Sequence, residues 1–297
     1  MTRFPLAVAA LAAALVAESP RADSLSLHFA RALYGNGAEG ALRYPEGVAC
    51  GDGVVVVADT GNDRLLRFPY QNGVVGPASV TKLDALRQPT AVEFGAKGDL
   101  FVLDRKARKI GRVAPNGEFK GFLEVKGLPA TDSVVPVAFK VTAGDGLVLL
   151  DASARRVLVL DAQGVVTRQV PLPKGEFTDL AADPGGILYA VDSTQAVVWA
   201  LDKGANAFRA LTKPLKDVLL FPAFMAATDK GVLLLADQHG HGVVLVGLDG
   251  SFMGRQLSQG FGEGALYYPS QLCMTGQGEV LVADRANNRV QVFATQR

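Results

Sequence analysis

Long apolar runs, net charge and histidine are all scarce in this chain, and each scarcity removes a class of function. The one extended apolar run lies in MTRFPLAVAALAAALVAESPRADS (residues 1–24) and is fourteen residues long, from Phe4 to Ala17. A membrane-spanning helix needs roughly 20. Lysine and arginine total 30 against 29 aspartates and glutamates, a formal charge of +1, so no global field gathers nucleic acid or an anionic membrane around the molecule. The three histidines are His28, His239 and His241, and a metal centre needs ligands converging from separate strands. His239 and His241 share one turn and read as an exposed pair, with no metal. No G-x-S-x-G elbow, Walker loop or C-x-x-C occurs.

What is present is enough for a large core: 49% of the 297 residues are hydrophobic and 20% charged, which is not a disordered composition. Residues 1–22 have a basic start at Arg3, the apolar run, then small and polar residues, the pattern of a secretory signal peptide. The end of the leader is approximate, since Ala12-Ala13-Ala14, Ala17 and Ala22 all offer small residues; an uncleaved anchor is the alternative. The expectation is export to the periplasm or the extracellular space, with no membrane span after cleavage. Cys50 and Cys273 would then meet an oxidising compartment, where a pair can bridge.

The remainder repeats. Apolar runs ending in aspartate recur at Asp59, Asp104, Asp151, Asp192, Asp237 and Asp284, spaced 45, 47, 41, 45 and 47 residues apart. A glycine opens each run, and a second apolar run follows six residues after each aspartate, at Leu65, Ile110, Val157, Val198, Val243 and Val290. A third strand-like segment precedes each glycine, opened by Pro45, Pro89, Pro136, Pro222 and Pro269, and by Phe177 in the fourth unit. Such units of short β-branched runs between Gly, Asp and Asn turns leave almost no room for helices. A four-stranded sheet cannot hide both its faces alone, and six packed radially solve the problem. The expected fold is all-β, a six-bladed β-propeller in one domain over residues 24–297.

The last unit ends at VQVFATQR (290–297) after three strands, whereas SLSLHFARALYG (24–35) precedes the first unit. The N-terminal strand is therefore expected to complete the last blade, joining the chain ends and removing two sheet edges. Cys50 and Cys273 would face each other across that seam. They stand five and four residues after their prolines, however, so their side chains can point to opposite faces, and two buried thiols stay open beside a disulfide.

The segments PEGVACGDGVVVVADTGNDRLLRF (45–68) and VLVADRANNRVQVF (280–293) resemble the NHL repeat, strongly in the first and last units, partially in the third and fifth, weakly in the others. The resemblance implies structural roles for the signature residues: Asp59 and Asp284 close the turn between second and third strands, and Asn62 with Arg64, and Asn287 with Arg289, brace it. It leaves activity open, because the same shape hosts protein-binding, RNA-binding and enzymatic members. Amidating-lyase relatives hold a metal with histidines, and gluconolactonase-like relatives gather acidic and amide residues around a cation at the channel mouth.

Two residues past the prolines, the first strands carry Gly47, Ala91, Ala138, Asp179, Phe224 and Gln271; four past, they carry Ala49, Glu93, Lys140, Ala181, Ala226 and Cys273. Neither level holds more than one carboxylate, too few oxygen ligands for a hard cation. Glu93 and Lys140 share a level in neighbouring units and read as a buried ion pair. Arg105, Lys106, Arg108 and Lys109 cluster in DRKARKIGR (104–112), a basic patch that can grip an acidic partner or stand as a solvated loop. The function expected is an exported, non-catalytic module, monomeric in isolation, without cofactor, binding a protein or extracellular polymer and no nucleic acid. The alternative is a lyase, lactonase or esterase acting at the channel mouth near Glu93, Asp179 and Gln271. A channel plugged by Phe224, Ala226 and Ala181 favours binding; convergence of three polar channel residues favours the enzyme.

Overall fold

A computed structural model describes residues 25–36 and 40–296; the leader expected at residues 1–22 lies outside them. Six antiparallel sheets form the six blades of a propeller, and their inner strands are Gly47–Gly51, Pro89–Phe94, Pro136–Val141, Phe177–Ala182, Pro222–Ala227 and Pro269–Met274. Blade 1 carries an extra short ribbon, with both Val74–Val75 and Ser79–Thr81 paired to its third strand. Among the described residues no helix is long and apolar enough to cross a membrane.

The ring closes as the repeat arithmetic requires. Ser26–Leu33 runs antiparallel to Arg289–Gln296, from Ser26 opposite Gln296 to Leu33 opposite Val290, with a bulge between Phe29 and Arg31. The bulge leaves Ala30 unpaired, and the ladder resumes at Arg31. Phe29 packs edge-on against Phe293 at 6.3 Å. Val290, Val292 and Phe293 are fully buried on this strand, so deleting one large side chain there costs about 3–5 kcal/mol for a phenylalanine.

The core is six clusters, one in each wedge between blades. In the wedge between blades 1 and 2, Ala49 and Val56 meet Val92 and Val102; between blades 6 and 1, Leu281 and Ala283 meet Val48 and Val57. Successive strand residues point to opposite faces. Residues four past each proline therefore face the following blade, and those three or five past face the preceding one. This parity corrects the expectation that unlike offsets separate Cys50 and Cys273. Neighbouring blades meet by opposite faces, so offsets of five and four bring the sulfurs together, and the two cysteines form a disulfide with Cα atoms 5.7 Å apart.

Candidate functional site

A rim of turns and a cavity mark the channel. The rim carries the aspartate turns, and all six aspartates are fully buried. A buried carboxylate must be matched by donors. Asp284 accepts from the Tyr267 backbone N–H at 2.7 Å, Asn287 Nδ2 at 2.8 Å, Arg289 Nε at 2.7 Å and Gln291 Nε2 at 2.8 Å. Asp59 likewise receives the Arg43 N–H, Asn62 and Arg64. Arg105 and Arg285 directly follow the turn aspartates Asp104 and Asp284. From there both clamp Glu46, Arg285 at 3.2 Å, and Arg285 also lies 5.7 Å from the Tyr44 ring centre. Glu46 and Arg285 escaped sequence reasoning; the signal available was that Arg105 and Arg285 both directly follow a turn aspartate. His241 corrects another expectation, for it is buried rather than exposed. Its Nδ1 accepts the Tyr268 N–H at 3.1 Å, and burial, helped by His239 and Arg255 and opposed by Asp237, holds its pKa below the ordinary value.

At the far end of the inner strands the channel widens into an open cavity of about 260 Å³. Small residues make the room: Ala49, Ala181, Ala182, Ala226 and Ala227 line it, with the Cys50–Cys273 disulfide in its wall. Ala181 and Ala226 thus wall the cavity rather than plug it, while Phe224, two residues earlier on its strand than Ala226, is buried. Lys140 Nζ stands 4.3 Å from the centre of the Phe224 ring, a cation–π contact.

Lys140 Nζ donates to Glu93 Oε1 at 2.7 Å, and Glu93 Oε2 accepts the Val141 N–H at 2.7 Å. The two side chains are only 12% and 19% exposed, so the pair is both partly desolvated and reachable from the cavity. Burial disfavours the Lys140 charge, but Glu93 and then Asp179 outweigh it and raise its pKa above the ordinary lysine value. Asp179 is 2% exposed. Burial pushes its pKa up to about 7, against the pull of Lys140 and of the Met225 and Leu180 N–H groups, and with a push from Glu93; the Met225 N–H reaches Asp179 Oδ2 at 2.7 Å. Glu93, Lys140 and Asp179 are therefore one electrostatic unit drawn from blades 2, 3 and 4. Gln271 does not share this chemistry, because its Oε1 accepts from Val48 and Val92 at 3.1 and 3.0 Å and its Nε2 donates to the Val92 carbonyl at 2.9 Å. It braces the inner strands of blades 1 and 2.

The basic patch divides. Arg105 turns inward to Glu46, Lys106 is exposed, and Arg108 and Lys109 border a second hollow between blades 2 and 3. Among the described residues no group of three or more His, Cys, Asp and Glu is placed to hold a metal ion. In the cavity itself Lys140 already supplies the positive charge that Glu93 binds, so the donor set does not fit a cation of the kind expected in gluconolactonase-like relatives.

The NHL repeat family matches residues 266–293, and no curated protein matches the chain by sequence. Similar solved structures include virginiamycin B lyase from Staphylococcus aureus, at 12% identity and a TM-score of 0.64, covering 91% of this chain and 99% of that one. A gluconolactonase from Xanthomonas campestris shows 16% identity and a TM-score of 0.67, covering 93% and 96%. A chain of a nidogen/laminin complex shows 18% identity and a TM-score of 0.59, covering 76% and 84%. These likenesses establish the shared fold. They also correct the expectation of a non-catalytic scaffold, since the whole-chain neighbours are propeller enzymes, the alternative reading. The chain is a six-bladed β-propeller whose closing blade carries an NHL repeat.

Proposed function

We propose that this chain is a propeller enzyme that opens a small lactone or ester at the Glu93–Lys140 cavity. The observation that carries the reading is an ammonium held 2.7 Å from a carboxylate on the wall of an open cavity of about 260 Å³. That is slightly below the roughly 300–1,000 Å³ of drug-sized ligand sites, which suits a compact ring. The whole-chain likeness to a lyase and a gluconolactonase supports the reaction class.

Glu93 takes a proton from water as the oxygen attacks the carbonyl carbon, and Lys140 donates to the oxyanion that develops. The tetrahedral intermediate then breaks its bond to the alkoxy oxygen, which receives the proton back from Glu93. Water and ester become acid and alcohol, and Glu93 is restored. Such a base contributes about 10²–10⁴-fold and an oxyanion donor about 10²–10³-fold. Asp179 is a positioning residue: protonated, it leaves Lys140 to Glu93 and the substrate; ionised, it competes for the ammonium. A pH-stat survey of aliphatic lactones and esters tests the reading. Turnover is expected with wild type and lost in Glu93→Gln and Lys140→Met, and activity that survives both substitutions refutes it.

A further inference from the structure

A second hollow lies away from the channel, between blades 2 and 3. It measures about 490 Å³ and is framed by the crossing from Phe119–Phe122 to Pro136–Val141. That crossing is pinned across blade 3, where Lys126 N–H donates to the Gly164 carbonyl at 2.8 Å and Val166 N–H to the Lys126 carbonyl at 2.9 Å. The crossing therefore stands as a wall instead of collapsing onto the sheet. Ile110 and Leu149 form a buried floor, and Leu123, Leu128 and Val134 form half-buried walls.

Cations gather on the lip of this apolar space. Arg108, Lys109 and Lys126 are exposed and border it. Arg108 sits in the left-handed region with φ 53° at the tip of the blade 2 turn, a conformation that costs a non-glycine residue energy. Lys109 rests over Phe122 at 5.7 Å. Of the two carboxylates on the lip, Asp132 is already bound to Arg156 at 3.0 Å, which leaves Glu124 against three cations. The volume of the hollow lies within the range of small-molecule sites.

We propose that this hollow binds an amphiphilic anion, a single-chain acyl carboxylate, with the tail against Ile110, Leu128 and Leu149 and the headgroup at Arg108 and Lys109. Charge complementarity selects the sign of the headgroup, and the depth of apolar lining selects a tail over a bare phosphate or a polyanion. The site is independent of the channel and of the reaction proposed there.

Isothermal titration of the intact protein below micellar concentrations, with dodecanoate, dodecanol and dodecyltrimethylammonium as probes, tests it. Dodecanoate is expected to bind one to one, and more tightly than either other probe. Arg108→Glu combined with Lys109→Glu should weaken it about tenfold, the equivalent of about 1.4 kcal/mol. Leu128→Glu should abolish binding, and Lys106→Glu, off the lip, should leave it unchanged. Equal binding of the cationic probe, loss of affinity in Lys106→Glu as large as in the double variant, or no saturable dodecanoate binding overturns the proposal. Binding confined to anionic vesicles, with none to free dodecanoate, overturns it as well.

Discussion

Asp284 and Asp179 are both buried carboxylates of one propeller, and they are kept in opposite ways. Asp284 is surrounded by four donors, one of them a guanidinium, so its charge is answered on the spot. Asp179 has backbone N–H groups and a lysine that Glu93 has already engaged, so burial wins and its pKa rises to about 7. A buried acid is a fastening where charged and neutral donors outweigh the cost of burial and a titrating group where they do not. Asp284 and Asp59 on the turn rim belong to the first kind and Asp179 beside the cavity to the second.

The comparison can be broken most violently at the rim. Asp284→Ala leaves Arg289, 3% exposed, without its carboxylate, and breaking a buried pair costs about 3–5 kcal/mol; chemical denaturation should show that loss. Reducing the Cys50–Cys273 bridge, which spans 223 residues, should cost about 2–4 kcal/mol. The measurement is the midpoint of denaturation with and without a thiol, checked against Cys50→Ser with Cys273→Ser.

The cavity should respond in rate as well as in stability. Glu93→Gln is expected to lower kcat by about 10²-fold or more, measured per folded molecule because it also takes the carboxylate from the largely buried Lys140. Asp179 adds a pH signature. Its pKa rises from 3.8 in the unfolded chain to about 7 in the fold, so the native state holds the proton more tightly. The stability this contributes is complete below pH about 4 and lost as pH climbs through 7. Melting temperature recorded from pH 4 to 7.5 should fall more steeply in wild type than in Asp179→Asn, and activity should fall around pH 7 in wild type but not, from this cause, in Asp179→Asn.

The smallest effect is expected in blade 4. Asp192 has no arginine partner; its Oδ1 collects the Thr194 and Gln195 donors while Oδ2 finds none among the described residues. Asp192→Asn should therefore shift stability by about 1 kcal/mol or less, against the several lost at Asp284.

Much of the architecture was legible because it is written in spacing. The aspartate period counted the blades, and the missing fourth strand after Val290 pointed to Ser26–Leu33 as the closing strand. Glu93 and Lys140 emerged from aligning the prolines, since that register sets their level in the channel. What escaped depended on which way a blade faces. The disulfide looked unfavourable from its offsets because parity was compared within one sheet, whereas it joins opposite faces of two. The Glu46 clamp joins residues 59 and 239 positions apart, and no local pattern reports that. The burial of His241 follows from Tyr267 and Tyr268 packing over it, a contact between blades that the turn sequence does not contain.

The most direct test of the central claim is the hydrolysis rate of small lactones measured side by side for wild type, Glu93→Gln and Asp284→Asn, each first checked for a folded propeller by circular dichroism. The account predicts a turnover lost in Glu93→Gln and retained, per folded molecule, in Asp284→Asn. Equal turnover by wild type and Glu93→Gln would contradict it.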